Sequence, residues 1–288
     1  MQVLKLLTYT ARHYKLLPER TYTTYDEALK ACHSAAYHDN DIIDTVANKG
    51  AGLETEMTTT TVPDVNPGIM ALLSAVYQVL LVSPGKQVSI IDYGGGEGKY
   101  YYHLRKTLPS FVRLLWTIVE TPGMTAAMKP FQTAELRFVS SLEDVPPADI
   151  VFTSGAYQYT ASPGQTLLAL KARDADFMIF NRQSLSLEPF DIISIQTSKL
   201  SHHGHGKVGS GFREKLVSYP HTSIRQEQFE ALLTDKYDVL YTYQEASGMK
   251  QVNRYKVAGT NYFMVKKGDG ILPAIAERQQ AVVRQQPL

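Results

Sequence analysis

The sequence predicts a doubly wound α/β fold: a seven-stranded, mostly parallel sheet with its last strand antiparallel, preceded by a helical extension. Three observations carry this. Apolar runs at 87–94 (QVSIIDYG), 113–120 (RLLWTIVE), 135–140 (ELRFVS), 148–155 (ADIVFTSG) and 175–181 (ADFMIFN) alternate with segments long enough for helices, which is how parallel βαβ units buried on both faces read. The first run closes on the glycine-rich DYGGGEG, a sharp strand-to-helix turn. Further on, IRQEQFEALLTDKYDVLYTYQ reads as helix then strand, and AGTNYFMVKKG as a strand that inserts antiparallel in an edge hairpin.

Length and composition bound the rest. A chain of 288 residues without long polar or repetitive tracts suits one enlarged domain or one domain with appendages. With 29 basic against 28 acidic residues the net charge is +1, so no global field draws nucleic acid or an anionic membrane, and nucleic acid is not expected as a partner. The single cysteine, Cys32, excludes an internal disulfide and a thiolate metal cluster, and points to a reducing, cytoplasmic location. The opening MQVLKLLTYTARHYKLLPER has no small-residue cleavage site and is too short to span a membrane. It reads as a packing helix or a loose terminus, with an amphipathic surface segment as the weaker alternative.

The N-terminal elements follow in order. Ala28, Leu29, Cys32, Ile42, Ile43 and Val46 fall at helical spacing, and Thr24 with Glu27 makes a capping box, so two short helices precede the core. ETEMTTTTVPDVNPG reads as a loop ending on a helix start, Asn66 then Pro67, and PGIMALLSAVYQVLLVS as a strongly apolar helix up to Pro84. The chain then divides into an N-terminal helical extension or cap (1–66), a ligand-binding domain (67–268) and a C-terminal tail (269–288).

In an open parallel sheet, ligands bind beyond the carboxyl ends of the strands where strand order reverses. Gly94, Gly95 and Gly96 would let a ligand approach bare backbone there, and Gly98 would allow close packing where the next helix begins. A dinucleotide turn wants G-x-G-x-x-G to receive a pyrophosphate, whereas here Asp92 precedes the glycines and Glu97 sits among them. Two carboxylates suit the ammonium group of an amino-acid moiety instead, which favours S-adenosylmethionine over NAD. A turn that merely connects strand and helix would account for one or two glycines, not four. Glu120 ends the second strand, where a carboxylate takes both hydroxyls of a ribose. Ser140, Ser141 and Leu142 follow the third, where an adenine would be sandwiched.

On the acceptor side, Tyr157, Gln158 and Tyr159 offer an aromatic wall beside a sulfonium, with core packing an equal alternative for each taken singly. SKLSHHGHGKVGSGFREKLVSYPH gathers His202, His203, His205 and His221. The candidate catalytic groups are His202, His203, His221 and Tyr157, a neutral imidazole serving as general base. The cluster has no carboxylate set nearby, Asp191 being the closest acid upstream, so no metal is expected. Its glycines make a mobile, solvated loop or a closing lid the expected form. Arg182 and Arg213 could meet an anionic acceptor, ordinary surface ion pairing being the alternative.

Together IIDYGGGEG, IVE and DIVFTSGAYQY resemble the first, second and fourth motifs of class I S-adenosylmethionine-dependent methyltransferases. More narrowly, the chain resembles a bacterial methyltransferase family associated with surface-polysaccharide and other biosynthetic gene clusters. The shared traits are YDEAL followed by YHDNDIID, then VETP, SGAYQY, IFNR, ISIQ and SYP in that order, over most of residues 22–266. The resemblance implies a Rossmann-like methyltransferase fold with bound S-adenosylmethionine. It adds Ser154 and Gly155 to Asp92, Gly94, Gly95, Gly96, Gly98, Glu120, Ser141 and Leu142 as the cofactor set. Gln183, where the family commonly has threonine, and the HHGHG insert depart from it on the acceptor side. The expected function is methyl transfer to oxygen or nitrogen of a small molecule or glycan intermediate, and a homodimer is compatible with it. Two other readings stay open: a noncatalytic methyltransferase-fold binding or scaffolding subunit, and an NAD-dependent oxidoreductase, which the acids in the turn weaken.

Overall fold

A computed structural model of the chain describes residues 19–32, 36–59 and 66–268, with Ile271, Pro273 and Ile275. The segment read at 1–20 and the tail at 269–288 fall almost wholly outside the described residues. Strand β1 (Thr21–Tyr22) leads into helices α1 (Tyr25–Cys32) and α2 (Asn40–Thr59). The capping box forms as its spacing dictates: Glu27 N donates to Thr24 Oγ1 at 3.2 Å and Thr24 N to Glu27 Oε2 at 3.3 Å. Helix α2 has 20 residues, so it is not short, and it runs on to Thr59 through part of the stretch read as a loop. Helix α3 (Pro67–Val82) starts on Asn66, whose Oδ1 accepts from Ile69 N at 3.2 Å, and Pro67 fills the first helical position where no N–H is needed.

The remaining elements are β2 (Val88–Tyr93), α4 (Lys99–Thr107), β3 (Leu114–Val119), α5 (Pro122–Met128), β4 (Leu136–Val139), β5 (Ile150–Ser154), α6 (Pro163–Lys171) and β6 (Phe177–Asn181). They are followed by β7 (Leu185–Ser186), β8 (Ile192–Lys199), β9 (Leu216–Arg225), α7 (Gln226–Leu233), β10 (Tyr237–Val252) and β11 (Tyr255–Lys266). Strands β4, β3, β2, β5 and β6 lie in that order and run parallel. The chain steps outward from β2 to β4, returns, and continues from β5 to β6. The reversal therefore falls between β2 and β5, where this architecture opens its crevice. Strand β11 inserts antiparallel beside β6, with Tyr262 opposite Phe180, and carries β10 on its other side. This is the mostly parallel, Rossmann-like sheet with its last strand antiparallel that the sequence predicts.

The sheet does not stop at seven strands. Strand β7 continues the line of β6, pairing antiparallel with β11 and parallel with β9. Strands β8 and β9 form an antiparallel hairpin from Ile192↔Ser223 to Lys199↔Leu216, and β1 adds to β8, for eleven strands among the described residues. Much of the stretch between 182 and 225, which the sequence left without strands, is thus a hairpin beyond the carboxyl end of β6.

Alternate residues of the central strands feed two cores. Ile90, Trp116, Phe152 and Ile179 meet α3 and α4 through Leu72 and Leu104. Ile91, Val151, Met178 and Phe180 meet α6 and α7 through Leu167 and Phe229. Burial on both faces, at about 2 kcal/mol per large apolar side chain, is why these strands read as unbroken apolar runs. Helix α2 packs on α4 and α5, and α1 on β8 and β9. A Cβ on Gly123 would come within 2.7 Å of Ile43 Cδ1, so the glycine lets α2 lie across the start of α5. No helix among the described residues is long and apolar enough to cross a membrane.

Candidate active site

The turn after β2 is held by close packing. Gly94 N donates to Val119 O at 2.9 Å, and a Cβ on Gly94, at φ 71°, would run into Ala156 Cβ in the turn after β5. A Cβ on Gly95 would strike the Asp92 carboxylate, so that acid lies directly beneath the turn. Gly96, at φ 57°, is the open position: the nearest atom to a Cβ there is Val46 Cγ1 at 3.9 Å. Gly98 begins α4.

The three acids of this region have different surroundings. Asp92 is 1% exposed; its Oδ2 accepts from Trp116 Nε1 at 3.2 Å, and its Oδ1 has no partner among the described residues. Burial pushes its carboxyl up to about 8, against the indole bond and with help from Glu120 and Glu97. Glu97 turns away from the open side of the turn: Oε1 accepts from His205 N at 2.5 Å, and its Cβ lies close under Gly50 of α2. Burial raises Glu97 to about 7, opposed by its own and the His205 N–H and by Lys99 and Lys49. Glu120 faces the turn. Its Oε1 accepts from Gly96 N and its Oε2 from Thr121 N, each at 3.0 Å; burial raises its pKa and these two N–H groups oppose the rise.

Beyond β4, Ser141 Oγ accepts from Glu143 N at 3.1 Å, and Leu142 is half-buried with its carbonyl accepting from Arg173 at 2.9 Å. Ser154 ends β5 in a network. Asn181 Nδ2 donates to Ser154 Oγ at 2.9 Å and to Tyr100 Oη at 3.0 Å, while Tyr243 Oη donates to Asn181 Oδ1 at 3.2 Å. Gly155 N donates to Asn181 O at 2.9 Å, and Gly68 at the start of α3 leaves room for the Asn181 amide, 2.8 Å from where a Cβ would sit. Asn181 was visible in the sequence only as a motif letter; its packing role needed the fold.

The structure sorts the expected catalytic groups. Tyr157 is removed from the site: it is fully buried, with Phe180 edge-on and Phe229 stacked on its ring, on the α6 and α7 side of the sheet. His202 is exposed. His203 and His221 instead enter one aromatic cluster. His203 sits 5.8 Å from Tyr37 and 5.5 Å from Tyr219 between ring centres, with Nε2 2.8 Å from Ser198 Oγ. His221, 1% exposed, lies 5.2 Å from Tyr159, and neither ring nitrogen has a partner among the described residues. Burial lowers His203 to about 4, helped by Lys49 and His202, and His221 to about 3, helped by Lys250. Both rings are therefore neutral and weakly basic, not bases poised near neutrality. Tyr159, two residues from Tyr157, faces this cluster and donates to Gln196 Oε1 at 2.9 Å.

The histidine stretch is docked, not a loop standing free in solvent. Lys49 Nζ donates to Ser201 O at 2.6 Å and Gly204 O at 3.3 Å, and His205 N is held by Glu97. Among the described residues, no three His, Cys, Asp or Glu side chains converge as metal ligands.

No family model matches the chain, and no curated protein matches it. Solved structures do. An S-adenosylmethionine-dependent methyltransferase from Clostridium acetobutylicum is 10% identical over 71% of this chain and 94% of its own, at a TM-score of 0.44. An amino pentose methyltransferase from Micromonospora echinaspora, solved with S-adenosylmethionine, is 12% identical over 69% and 92%, at 0.41. Magnesium protoporphyrin IX methyltransferase from Synechocystis, solved with S-adenosylhomocysteine, is 13% identical over 78% and 98%, at 0.40. At these scores the likenesses add nothing to the strand order already described.

Proposed function

We propose that the chain is an S-adenosylmethionine-dependent methyltransferase acting on oxygen or nitrogen of a small molecule or glycan intermediate. The observation that carries this reading is the 3.0 Å bond from Gly96 N to Glu120 Oε1. It makes the turn after β2 and the acid after β3 one construction at the reversal of strand order, where a nucleoside would lie. The residues fit the cofactor: Gly96 is open where a side chain would intrude, Asp92 Oδ1 lacks a partner among the described residues, and each Glu120 oxygen keeps a lone pair for a ribose hydroxyl. Glu120 would hold the ribose, Ser141 and Leu142 would border the base, and Ser154 and Gly155 would lie beside the amino-acid end, with Asp92 acting from beneath the turn.

Bound there, the cofactor supplies an activated methyl group. The chain's part is to orient an acceptor against the Tyr37 and Tyr159 rings and to keep water out. Because His203 and His221 are poor bases, the arrangement favours an acceptor that needs little help with its proton, such as a neutral amine or an ionised hydroxyl. Residues 67–268 would form the binding domain with the N-terminal helices as its cap, and the buried thiol Cys32 suits a reducing, cytoplasmic location.

Calorimetry with S-adenosylhomocysteine tests the cofactor assignment. Wild type should bind, and Glu120→Ala should bind about thirtyfold more weakly, on the order of 2 kcal/mol. No heat with the pure protein, or affinity unchanged by the substitution, rejects the reading. Binding without transfer of a labelled methyl group to candidate acceptors would favour the noncatalytic subunit.

A further inference from the structure

We infer that the acceptor carries an anionic group, a carboxylate or phosphate, and that Arg182 receives it at the carboxyl end of β6 with Lys250 as a second cation. Arg182 is held in a conformation that L side chains rarely adopt. It is a non-glycine residue at φ 58°, and its backbone is fixed on every side. Its N–H donates to the buried Asn261 Oδ1, Gly155 N and the Gln183 amide both donate to the carbonyl of the preceding Asn181, and Ser184 N donates to Gln158 Oε1 at 3.2 Å. A left-handed arginine fixed so firmly at a strand end is the kind of outlier that marks a functional position.

The surroundings say what the position is for. The Arg182 side chain is exposed, yet its charge pulls against the burial that raises the hydroxyl pKa of both Tyr100 and Tyr159. A Cβ on Gly155 would lie 3.6 Å from Arg182 Cβ and 3.4 Å from its carbonyl oxygen, so the arginine stands against the turn after β5, at the crevice end of the sheet. Strand β10 overhangs the same end, since Tyr243 reaches Asn181. Further along β10, Lys250 stands opposite Val257 of β11, which pairs on its other side with Ser186, four residues past Arg182, and its charge adds to the burial that lowers His221. Neither cation has an ion-pair partner among the described residues, so each charge can turn to a ligand. A planar, permanently charged fork fits carboxylate or phosphate oxygens. Arg213 lies exposed just ahead of β9 and is not assigned to the site.

This rests on the methyltransferase reading for the identity of the ligand as acceptor, because the cofactor also carries a carboxylate, and the test separates the two. Inorganic phosphate is titrated into protein saturated with S-adenosylhomocysteine and, in parallel, into free protein, following amide and arginine side-chain NMR shifts. Millimolar phosphate binding is expected, weakened roughly tenfold by Arg182→Gln and severalfold by Lys250→Gln, with S-adenosylhomocysteine affinity kept within about twofold. Arg182→Gly, which the left-handed backbone accommodates without strain, should fold at least as well and lose phosphate equally. Phosphate binding that survives both Arg182 variants overturns the inference, as does a tenfold loss of S-adenosylhomocysteine affinity in them, which would make the cofactor's own carboxylate the occupant. Wild type that fails to bind S-adenosylhomocysteine sinks the cofactor reading instead, and the free-protein titration still decides whether Arg182 is an anion site.

Discussion

Two regions face each other across the carboxyl ends of β2 and β6, and they are built in opposite ways. One is contiguous and acidic: Asp92, the glycines and Glu97 come from a single strand, turn and helix, joined by Glu120. The other is assembled from Tyr37, Tyr159, Arg182, His203, Tyr219 and His221, far apart in the chain, and its charged group among these six is a cation, Arg182. The first derives its shape from covalent neighbours, the second from packing. A substitution should therefore act locally and steeply in the first, and be shared among neighbours in the second.

The steepest break is expected at Gly94. Gly94→Ala meets both a positive φ and the Ala156 Cβ, for a loss of about 3 kcal/mol measurable as a lower urea midpoint. Adding Ala156→Gly should return the steric share and leave the backbone share. If the double variant is no more stable than the single one, the two turns do not touch as described.

The next contrast is in pH. Between about pH 4.5 and 6.5, folded Asp92 and Glu97, held up at about 8 and about 7, keep two protons that the unfolded chain has released. Over the same range the unfolded chain puts two protons on His203 and His221 that the folded rings, at about 4 and about 3, refuse. The acidic and histidine sides thus cancel. Above that range the histidines are neutral in both states. The folded acids then bind more protons than the unfolded ones, so stability falls with rising pH, through 7 for Glu97 and 8 for Asp92. Asp92→Asn mimics the protonated carboxyl and should recover about 2 kcal/mol by pH 8, read from urea melts on either side of neutrality. An unchanged slope would place the Asp92 pKa elsewhere.

The smallest effect is on the docked histidine stretch. Lys49→Met removes the bonds to Ser201 O and Gly204 O at about 1 kcal/mol, and amide exchange should quicken over 201–206 while the central strands are unaffected. Exchange unchanged in that stretch would mean that the lysine does not hold it.

The same contrast explains what could be read in advance. The five parallel strands, the Asn66 cap, the glycine turn and the Glu120 position were legible because each is set by neighbours in sequence. The β8–β9 hairpin was not. Its strands are mostly polar, and Pro220 argues against a central strand; it is tolerated because β7 covers only Ile224 and Arg225 of β9. Nor could periodicity choose between Tyr157 and Tyr159, which a single 3-10 turn sends to opposite sides. The histidines looked like free bases because their spacing shows composition, not burial.

The contact between Gly94 and Ala156 also bears on transplantation. A designer who lifts the glycine motif into another sheet and leaves behind a small residue at the end of the strand alongside will find the bend unable to close. The portable unit is a pair of positions some sixty residues apart, and either one alone is an incomplete part.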